Sequence, residues 1–209
     1  MIILFDFDGV IADTEEQYTL FWNRKGKEYL GQENFGHTIK GQTLKQISAG
    51  WFKDKQREFL EEIEPELNEY ERNLSYDYVP GALEFMQAIK AAGIRSAIVT
   101  SSHNAKMANA YKAHPELPEL VDVILTSNDF SKSKPDPECF LKGMEALGGS
   151  PEQTIVFEDS LHGIAAGRAA GAKVVGLTTT NKREKLEPLC DMVIDDFTGI
   201  SPETLSSLS

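Results

Sequence analysis

Six short apolar runs, separated by stretches with helical patterning, constrain the fold of this chain most strongly. They cover residues 2–5, 94–99, 121–126, 154–157, 173–177 and 192–194. The runs are nearly continuous rather than alternating, which is typical of parallel strands covered on both faces. Helical patterns at 82–92, 137–147 and 163–170 are each followed by a glycine. This order predicts an α/β fold with a doubly wound, Rossmann-like parallel sheet.

One long segment, residues 14–79, departs from this order because it has helical patterns but no convincing strand. Tyr18, Phe21, Trp22 and Tyr29 recur in it at near-helical spacing. We interpret that stripe as packing surface rather than as a ligand site. The prediction is an α/β core domain formed by residues 1–13 and 80–209, with an α-helical cap domain, residues 14–79, inserted between its two parts.

Composition limits the partners. The net charge of −12 and the pI near 4.8 argue against nucleic acid and anionic membranes. Cys139 and Cys190 have no nearby His or Cys at a zinc-ligand spacing, so reduced thiols are expected rather than a disulfide. The chain begins directly with a predicted strand and has no long apolar run. We expect a cytoplasmic monomer that does not bind membranes.

Two carboxylates, Asp6 and Asp8, follow the first predicted strand. Residues two apart on a strand project on the same side, and two anions held that close repel unless a cation, a proton or water lies between them. The pair suggests a hard metal such as Mg²⁺, with one carboxylate acting as nucleophile and the other as acid and base. Taken alone, the pair is also compatible with an Asp-rich turn.

Three further polar segments are expected beside this pair, because ligands bind outside the carboxyl ends of parallel strands. Thr100 and Ser101 follow the second strand, where hydroxyls and backbone N–H groups suit a phosphate. Lys134 precedes the helix at 137–147, and Glu158 and Asp159 follow the fourth strand. Each segment alone has an ordinary explanation as a helix cap or a surface lysine. Together they predict one site for phosphate and metal.

With these motifs, the chain resembles the haloacid dehalogenase superfamily of phosphotransferases over nearly its whole length. The matching segments are DFDGVIADT at 6–14, TSS at 100–102, SKPDP at 133–137 and EDS at 158–160. The helical insert resembles that of members with a first-position cap. The chain looks most like the β-phosphoglucomutase-like branch, which includes many sugar-phosphate phosphatases.

The resemblance implies a role for each carboxylate. Asp6 would attack phosphorus and form an aspartyl-phosphate. Asp8 would protonate the leaving oxygen and later activate water, while its backbone carbonyl touches Mg²⁺. Asp159 would bind the metal directly together with Asp6, and Glu158 would bind it through water or steer it.

The resemblance also implies how the phosphoryl group is held. Thr100, the Ser101 N–H and Lys134 would contact the transferring oxygens. A carboxylate that attacks an anionic phosphate meets strong repulsion, which Mg²⁺ and Lys134 would neutralise. Because dehalogenases of the superfamily lack an acid/base at the second carboxylate position, Asp8 argues against that activity.

Substrate choice is expected to depend on the cap turn at 36–43, where caps of this type usually present specificity residues. Lys40 and Gln42 could meet hydroxyls or a second phosphate, and Gly41 would allow close approach. An ordinary helix connection, with Thr43 as a cap, is the alternative. Tyr18 stands where the mutase branch carries a histidine, and this departure puts mutase activity in doubt. At that position Tyr18 is, with Lys40, Gly41 and Gln42, a candidate to contact the substrate.

The predicted function is that of a Mg²⁺-dependent phosphatase acting on a small phosphorylated metabolite, with a sugar phosphate as the expected class. A β-phosphoglucomutase-type isomerase is the main alternative. A phosphorylatable receiver domain is more remote, since its acceptor follows a middle strand and it has no helical lid. A non-catalytic scaffold is disfavoured because no expected catalytic residue is missing.

Overall fold

A computed structural model describes residues 1–208 of the chain. Its strands are β1 (Ile2–Phe5), β2 (Arg95–Val99), β3 (Val123–Leu125), β4 (Thr154–Glu158), β5 (Lys173–Leu177) and β6 (Met192–Ile194). In this part of the chain they form one sheet, in the order β3-β2-β1-β4-β5-β6, and every pair is parallel. The predicted α/β fold is confirmed. The edge strand β3 is shorter than its apolar run, since it pairs with β2 at only three positions.

The central strand β1 lies between β2 and β4, with Phe5 aligned to Ile98 on one side and Phe157 on the other. Its residues alternate between two hydrophobic layers, because side chains alternate across a strand. Phe5 packs 5.2 Å from Phe157, ring centre to ring centre, in one layer. Leu4 packs with Phe140 in the other layer. All four β1 residues are buried, so the loop that follows β1 starts from a fixed point.

Residues 14–79 are helical, as predicted. The helices are α1 (Glu15–Lys25), α2 (Phe35–Thr38), α3 (Leu44–Trp51), α4 (Gln56–Glu58) and α5 (Glu64–Arg72), with π-helical turns at Gly26–Leu30 and Phe59–Ile63. Phe21 and Trp22 are buried in a core of their own with Phe35 and Phe59, so most of the aromatic stripe is packing surface. At the base of this cap, the Val79 N–H donates to the Ile11 carbonyl at 2.9 Å. The domain boundaries themselves stay a prediction.

The remaining helices cover the sheet. They are α6 (Ala82–Ala91), α7 (Asn104–Ala113), α8 (Glu138–Ala146), α9 (Leu161–Ala169) and α10 (Arg183–Leu186), with 3₁₀ turns at Leu117–Glu119, Pro151–Gln153 and Thr204–Ser207. Helix α9 begins two residues earlier than its pattern predicts, because the Ser160 hydroxyl accepts the Gly163 N–H and caps it. Cys139 and Cys190 are free thiols, as expected. Among residues 1–208, no helix is long and apolar enough to cross a membrane.

Candidate active site

The parallel sheet brings the four predicted segments to one edge. Asp6 extends β1, since its N–H donates to the Phe157 carbonyl at 3.0 Å. Thr100 extends β2 in the same way, donating its N–H to the Leu125 carbonyl at 2.9 Å. Glu158 ends β4. Asp6, Thr100 and Glu158 are all buried. The site is therefore built from backbone positions that the sheet itself fixes.

Lys134 lies at the centre of this site and is fully buried, so it is not a surface lysine. Its Nζ lies 2.9 Å from Asp6 Oδ1 and 2.5 Å from Glu158 Oε1. Burial alone would lower the pKa of Lys134, but the two carboxylates reverse this effect and raise it. Lys134 is thus a permanent cation beside the carboxylate that is predicted to attack.

Glu158 is held by hydrogen bonds at both carboxylate oxygens. Oε1 accepts from Lys134, and Oε2 accepts the N–H groups of Asp159 at 3.0 Å and Ser160 at 2.9 Å. The Ser160 hydroxyl also donates to Oε2, at 3.0 Å. Such a fully bonded carboxylate orients Lys134 and the loop that carries Asp159, which agrees with an indirect role toward a metal.

Gly163 provides the space for this carboxylate, a function that the sequence pattern did not predict. A Cβ at Gly163 would lie 1.7 Å from Glu158 Oε1. Because Glu158 is buried and bonded to four groups, it cannot swing aside cheaply. The signal in the sequence was a glycine in the first turn of α9, three residues after the capping Ser160.

We expect Gly163→Ala to lower kcat about 10²-fold, since displacing Glu158 misplaces Lys134 and Asp6 by a large fraction of an ångström. The free energy of unfolding should fall by about 1–3 kcal/mol from overpacking. Phosphatase assays and thermal melts would measure the two effects. Gly167→Ala on the same helix is the matched control, because its Cβ would meet only Val174 and Val156, at 3.1 and 3.3 Å. Equal activity losses in both variants would contradict the assigned role.

Asp6, Glu158 and Asp159 form a buried acidic cluster whose ligand atoms lie within 4.8 Å of one another. Burial raises the pKa of Asp6 to about 8 and that of Asp159 well above its usual range. In the part of the chain that the structure describes, the close polar contact of Asp6 Oδ1 is its ion pair with the Lys134 ammonium. Oxygen donors crowded in this way fit a hard divalent cation, which would offset their mutual repulsion.

Asp8 occupies a different environment from Asp6. Its Oδ2 accepts from the Ser102 hydroxyl at 2.7 Å, and its Oδ1 accepts from the Thr14 hydroxyl and the Lys106 ammonium. Burial alone would raise the pKa of Asp8, but Lys106 and the two hydroxyls outweigh burial and lower it. The two aspartates therefore have opposite pKa shifts, and a cation bound beside Asp6 would favour the ionised form that a nucleophile needs.

The carboxylates open into a cavity of about 110 Å³ between the cap and the core. The four predicted cap residues, Tyr18, Lys40, Gly41 and Gln42, all line it, as does Ser101. Apolar side chains form one wall of the cavity, namely Trp22, Ile39, Leu44, Ile47 and Leu67. Trp22 thus belongs both to the cap core and to the cavity, which the sequence analysis did not anticipate.

The polar groups of the cap turn already have partners. Lys40 Nζ lies 2.5 Å from Glu15 Oε2, and Gln42 Oε1 accepts from Trp51 Nε1 at 3.2 Å. The Gly41 carbonyl accepts from the Ser101 hydroxyl at 3.3 Å. The close approach at Gly41 is therefore to the core. His37, in the same turn, is exposed.

Several core side chains hold the cap against the site. His162 Nδ1 lies 3.0 Å from the Lys40 carbonyl, and the Thr43 and Ser133 hydroxyls lie 3.0 Å apart. These contacts join the cap turn to the core beside the cavity, so the structure shows the cap closed over the carboxylates. Closure of this kind excludes bulk water from the reacting groups.

Comparison with known proteins agrees with this geometry. The profile of the haloacid dehalogenase-like hydrolase family matches residues 3–177. The chain belongs to this family. The predicted family, fold class and enzyme class, a phosphoric monoester hydrolase, are confirmed.

Two relatives and one solved structure illustrate the match. This family member is 32% identical over 208 residues to glycerol-1-phosphate phosphohydrolase 1 of Saccharomyces cerevisiae, covering 94% of this chain and 82% of the relative. It is 27% identical over 232 residues to a β-phosphoglucomutase of Mycobacterium bovis, covering 93% and 88%. A crystal structure of a HAD hydrolase, family IA, variant 3, from Entamoeba histolytica has a TM-score of 0.84 at 26% identity, covering 99% and 98%.

Proposed function

We propose that this hydrolase is a Mg²⁺-dependent phosphatase that cleaves the monoester of a small phosphorylated metabolite through an aspartyl-phosphate on Asp6. One observation carries the proposal. Asp6 is a buried carboxylate whose Oδ1 lies 2.9 Å from the Lys134 ammonium, and Asp6 lines a cavity together with Asp8. That arrangement gives a nucleophile and an acid/base in one cavity, with a buried cation against the nucleophile.

In the first step, an Asp6 oxygen bonds to phosphorus, the bond from phosphorus to the leaving oxygen breaks, and Asp8 donates a proton to that oxygen. Lys134 offsets the repulsion between the attacking carboxylate and the phosphoryl oxygens, and Thr100 and Ser101 orient those oxygens. In the second step, Asp8 takes a proton from water, whose oxygen attacks phosphorus and releases Asp6 and inorganic phosphate.

Asp6 and Asp159 would hold Mg²⁺, with the Asp8 backbone carbonyl beside them and Glu158 orienting the loop. When bound, Mg²⁺ would neutralise charge on the phosphoryl oxygens and on the carboxylate cluster. The crowded, buried oxygens of Asp6 and Asp159 support this assignment, because such a cluster is destabilising without a cation.

The cavity favours a leaving group that is uncharged and hydroxylated, such as a sugar or polyol. The lysines that line it are already paired, Lys40 with Glu15 and Lys106 with Asp8. Glu71, which is 3% exposed, adds a carboxylate at the cap side. A second phosphate there would meet these anions. The relative named as a glycerol-1-phosphate phosphohydrolase is consistent with this choice.

A β-phosphoglucomutase-type isomerase is the second candidate, because a relative of that name matches 93% of the chain. Tyr18 argues against it. Its hydroxyl donates to Glu71 Oε1 at 2.6 Å, which places a neutral phenol where the mutase branch carries a titratable imidazole. We therefore propose water, rather than a second sugar hydroxyl, as the acceptor of the phosphoryl group.

A screen of phosphorylated metabolites, scored by kcat/KM, tests the proposal. We expect sugar and polyol monophosphates to rank above bisphosphates and phosphorylated carboxylic acids. In a separate arm, β-glucose 1-phosphate with a bisphosphate primer should yield inorganic phosphate. Net formation of glucose 6-phosphate would instead establish the mutase, and a screen with no turnover would contradict both candidates.

We also propose that the protein acts as a cytoplasmic monomer whose cap corresponds to residues 14–79, with neither nucleic acid nor membrane as a partner. The net charge of −12 opposes binding to polyanions, and the two free thiols suit a reducing compartment. The separate hydrophobic core of the cap helices supports its assignment as a domain.

A further inference from the structure

A buried lysine in the cavity wall has no part in the chemistry described so far. Lys106, in the first turn of α7, is only 4% exposed, and it lines the cavity. Lysine is almost never fully buried unless it is paired, because taking its charge out of water is costly. Its position therefore has to be explained by what its ammonium contacts.

The Lys106 ammonium is held from two sides. It forms an ion pair with Asp8 Oδ1 on the core side. On the cap side it lies 4.0 Å from the centre of the Tyr18 ring, which is within cation–π range. The Tyr18 ring is itself anchored, since its hydroxyl donates to Glu71. Tyr18 belongs to the cap and Lys106 to the core, so this arrangement is complete only with the cap closed.

The start of α7 fixes Lys106 as well. The Lys106 N–H donates to His103 Nδ1 at 3.1 Å, which caps the helix. Ser102, immediately before that cap, donates its hydroxyl to the other Asp8 oxygen at 2.7 Å. One short segment thus supplies donors to both oxygens of the Asp8 carboxylate. A carboxylate bonded at both oxygens cannot rotate freely.

We propose that Lys106 is a positioning residue, which orients the Asp8 carboxylate toward the leaving oxygen when the cap is closed. This inference rests on the proposed phosphatase function. A carboxylic acid assists bond cleavage only when it is aimed at the oxygen that accepts its proton. The Lys106 ammonium is fixed between Asp8 and the Tyr18 ring, so it holds the Asp8 carboxylate in one orientation. The corresponding pattern in the sequence is a lysine four residues after Ser102.

The test compares two aryl phosphates of similar shape, phenyl phosphate and p-nitrophenyl phosphate, in the full-length protein with Mg²⁺. Lys106→Met should lower kcat/KM for phenyl phosphate about 10²-fold, because phenolate needs a proton from Asp8 as it leaves. For p-nitrophenyl phosphate the loss should stay below about 5-fold, since nitrophenolate leaves without help. The parameter kcat/KM is used because it covers only the steps through the first irreversible transfer to Asp6.

Lys112→Met is the matched control, since Lys112 lies exposed in the last turn of the same helix. In this variant, the ratio of kcat/KM for phenyl phosphate to kcat/KM for p-nitrophenyl phosphate should equal that of the unchanged protein. Equal losses for both substrates would overturn the proposal in favour of a structural role. A higher KM with unchanged kcat would overturn it in favour of substrate binding.

If Lys106→Met does not fold, Lys106→Gln replaces it, because glutamine keeps a polar side chain of similar length. The same difference between the losses of kcat/KM for the two aryl phosphates is expected. Lys106→Arg retains the cation, so its ratio of kcat/KM for the two substrates should lie closer to that of the unchanged protein than the ratio of Lys106→Met does. Inactivity of the unchanged protein toward both esters would overturn the phosphatase function together with this inference. An active protein whose ratio does not move in the Lys106 variants would overturn the inference alone.

Discussion

Replacing Asp6 with asparagine should remove turnover of p-nitrophenyl phosphate by about 10⁴-fold or more, because an amide of the same size cannot attack phosphorus. The fold should survive. Burial raises the pKa of Asp6 to about 8, so the site already disfavours the ionised carboxylate, and a neutral amide there costs little. Lys134 keeps its second partner, Glu158, at 2.5 Å.

Steady-state assays and thermal melts would measure these two outcomes. Asp13→Asn is the matched control, since Asp13 lies in the same motif but is exposed, and its activity should match that of the unchanged protein. Asp8→Ala should also stop turnover, for a different reason: without a base, the aspartyl-phosphate is not hydrolysed. Retained turnover in Asp6→Asn would refute covalent catalysis at this residue.

Removing divalent cations with a chelator should abolish activity, and Mg²⁺ should restore it. The ligand atoms of three buried carboxylates, Asp6, Glu158 and Asp159, lie within 4.8 Å of one another. Their mutual repulsion calls for positive charge beyond that of Lys134. Mg²⁺ should also raise Tm, because a ligand that binds only the folded protein at about 100 times its Kd stabilises it by about 2.7 kcal/mol.

Asp159→Asn separates metal binding from catalysis. It should abolish the rise in Tm with Mg²⁺, and it should not lower the Tm of the metal-free protein, because it removes one of three crowded carboxylates. Differential scanning fluorimetry with and without Mg²⁺ would show both effects. Full activity in chelator, or an unchanged Mg²⁺ response in Asp159→Asn, would contradict the assigned metal site.

The sequence was sufficient to predict the sheet and the central residues of the site. Parallel strands have a continuous apolar pattern, and their carboxyl ends meet at one edge, so Asp6, Thr100 and Glu158 could be placed together from order alone. The four motifs then identified the family, which the profile match confirmed. The first and last residues of individual strands and helices were predicted less accurately. Strand β3 starts two residues later and ends one residue earlier than its apolar run, since it pairs with β2 at only three positions, and α9 starts early because Ser160 caps it.

The partners of each charged group could not be predicted, because they depend on distances between segments far apart in the chain. Lys106 is 98 residues from Asp8, and Tyr18 is 53 residues from Glu71. Lys40, a candidate for binding a second phosphate, is instead paired with Glu15. The space that Gly163 leaves for Glu158 appears only when helix and strand are packed together.

The sequence by itself determined the fold class, the family and the carboxylate pair after β1, since hydrophobic period and residue order are local properties of the chain. Only the tertiary structure decided that Asp6 is buried beside Lys134 while Asp8 is held by Lys106 and Ser102. Burial and charge partners are set by how segments far apart in the chain pack together. Two aspartates, two positions apart, thereby acquire opposite shifts in pKa.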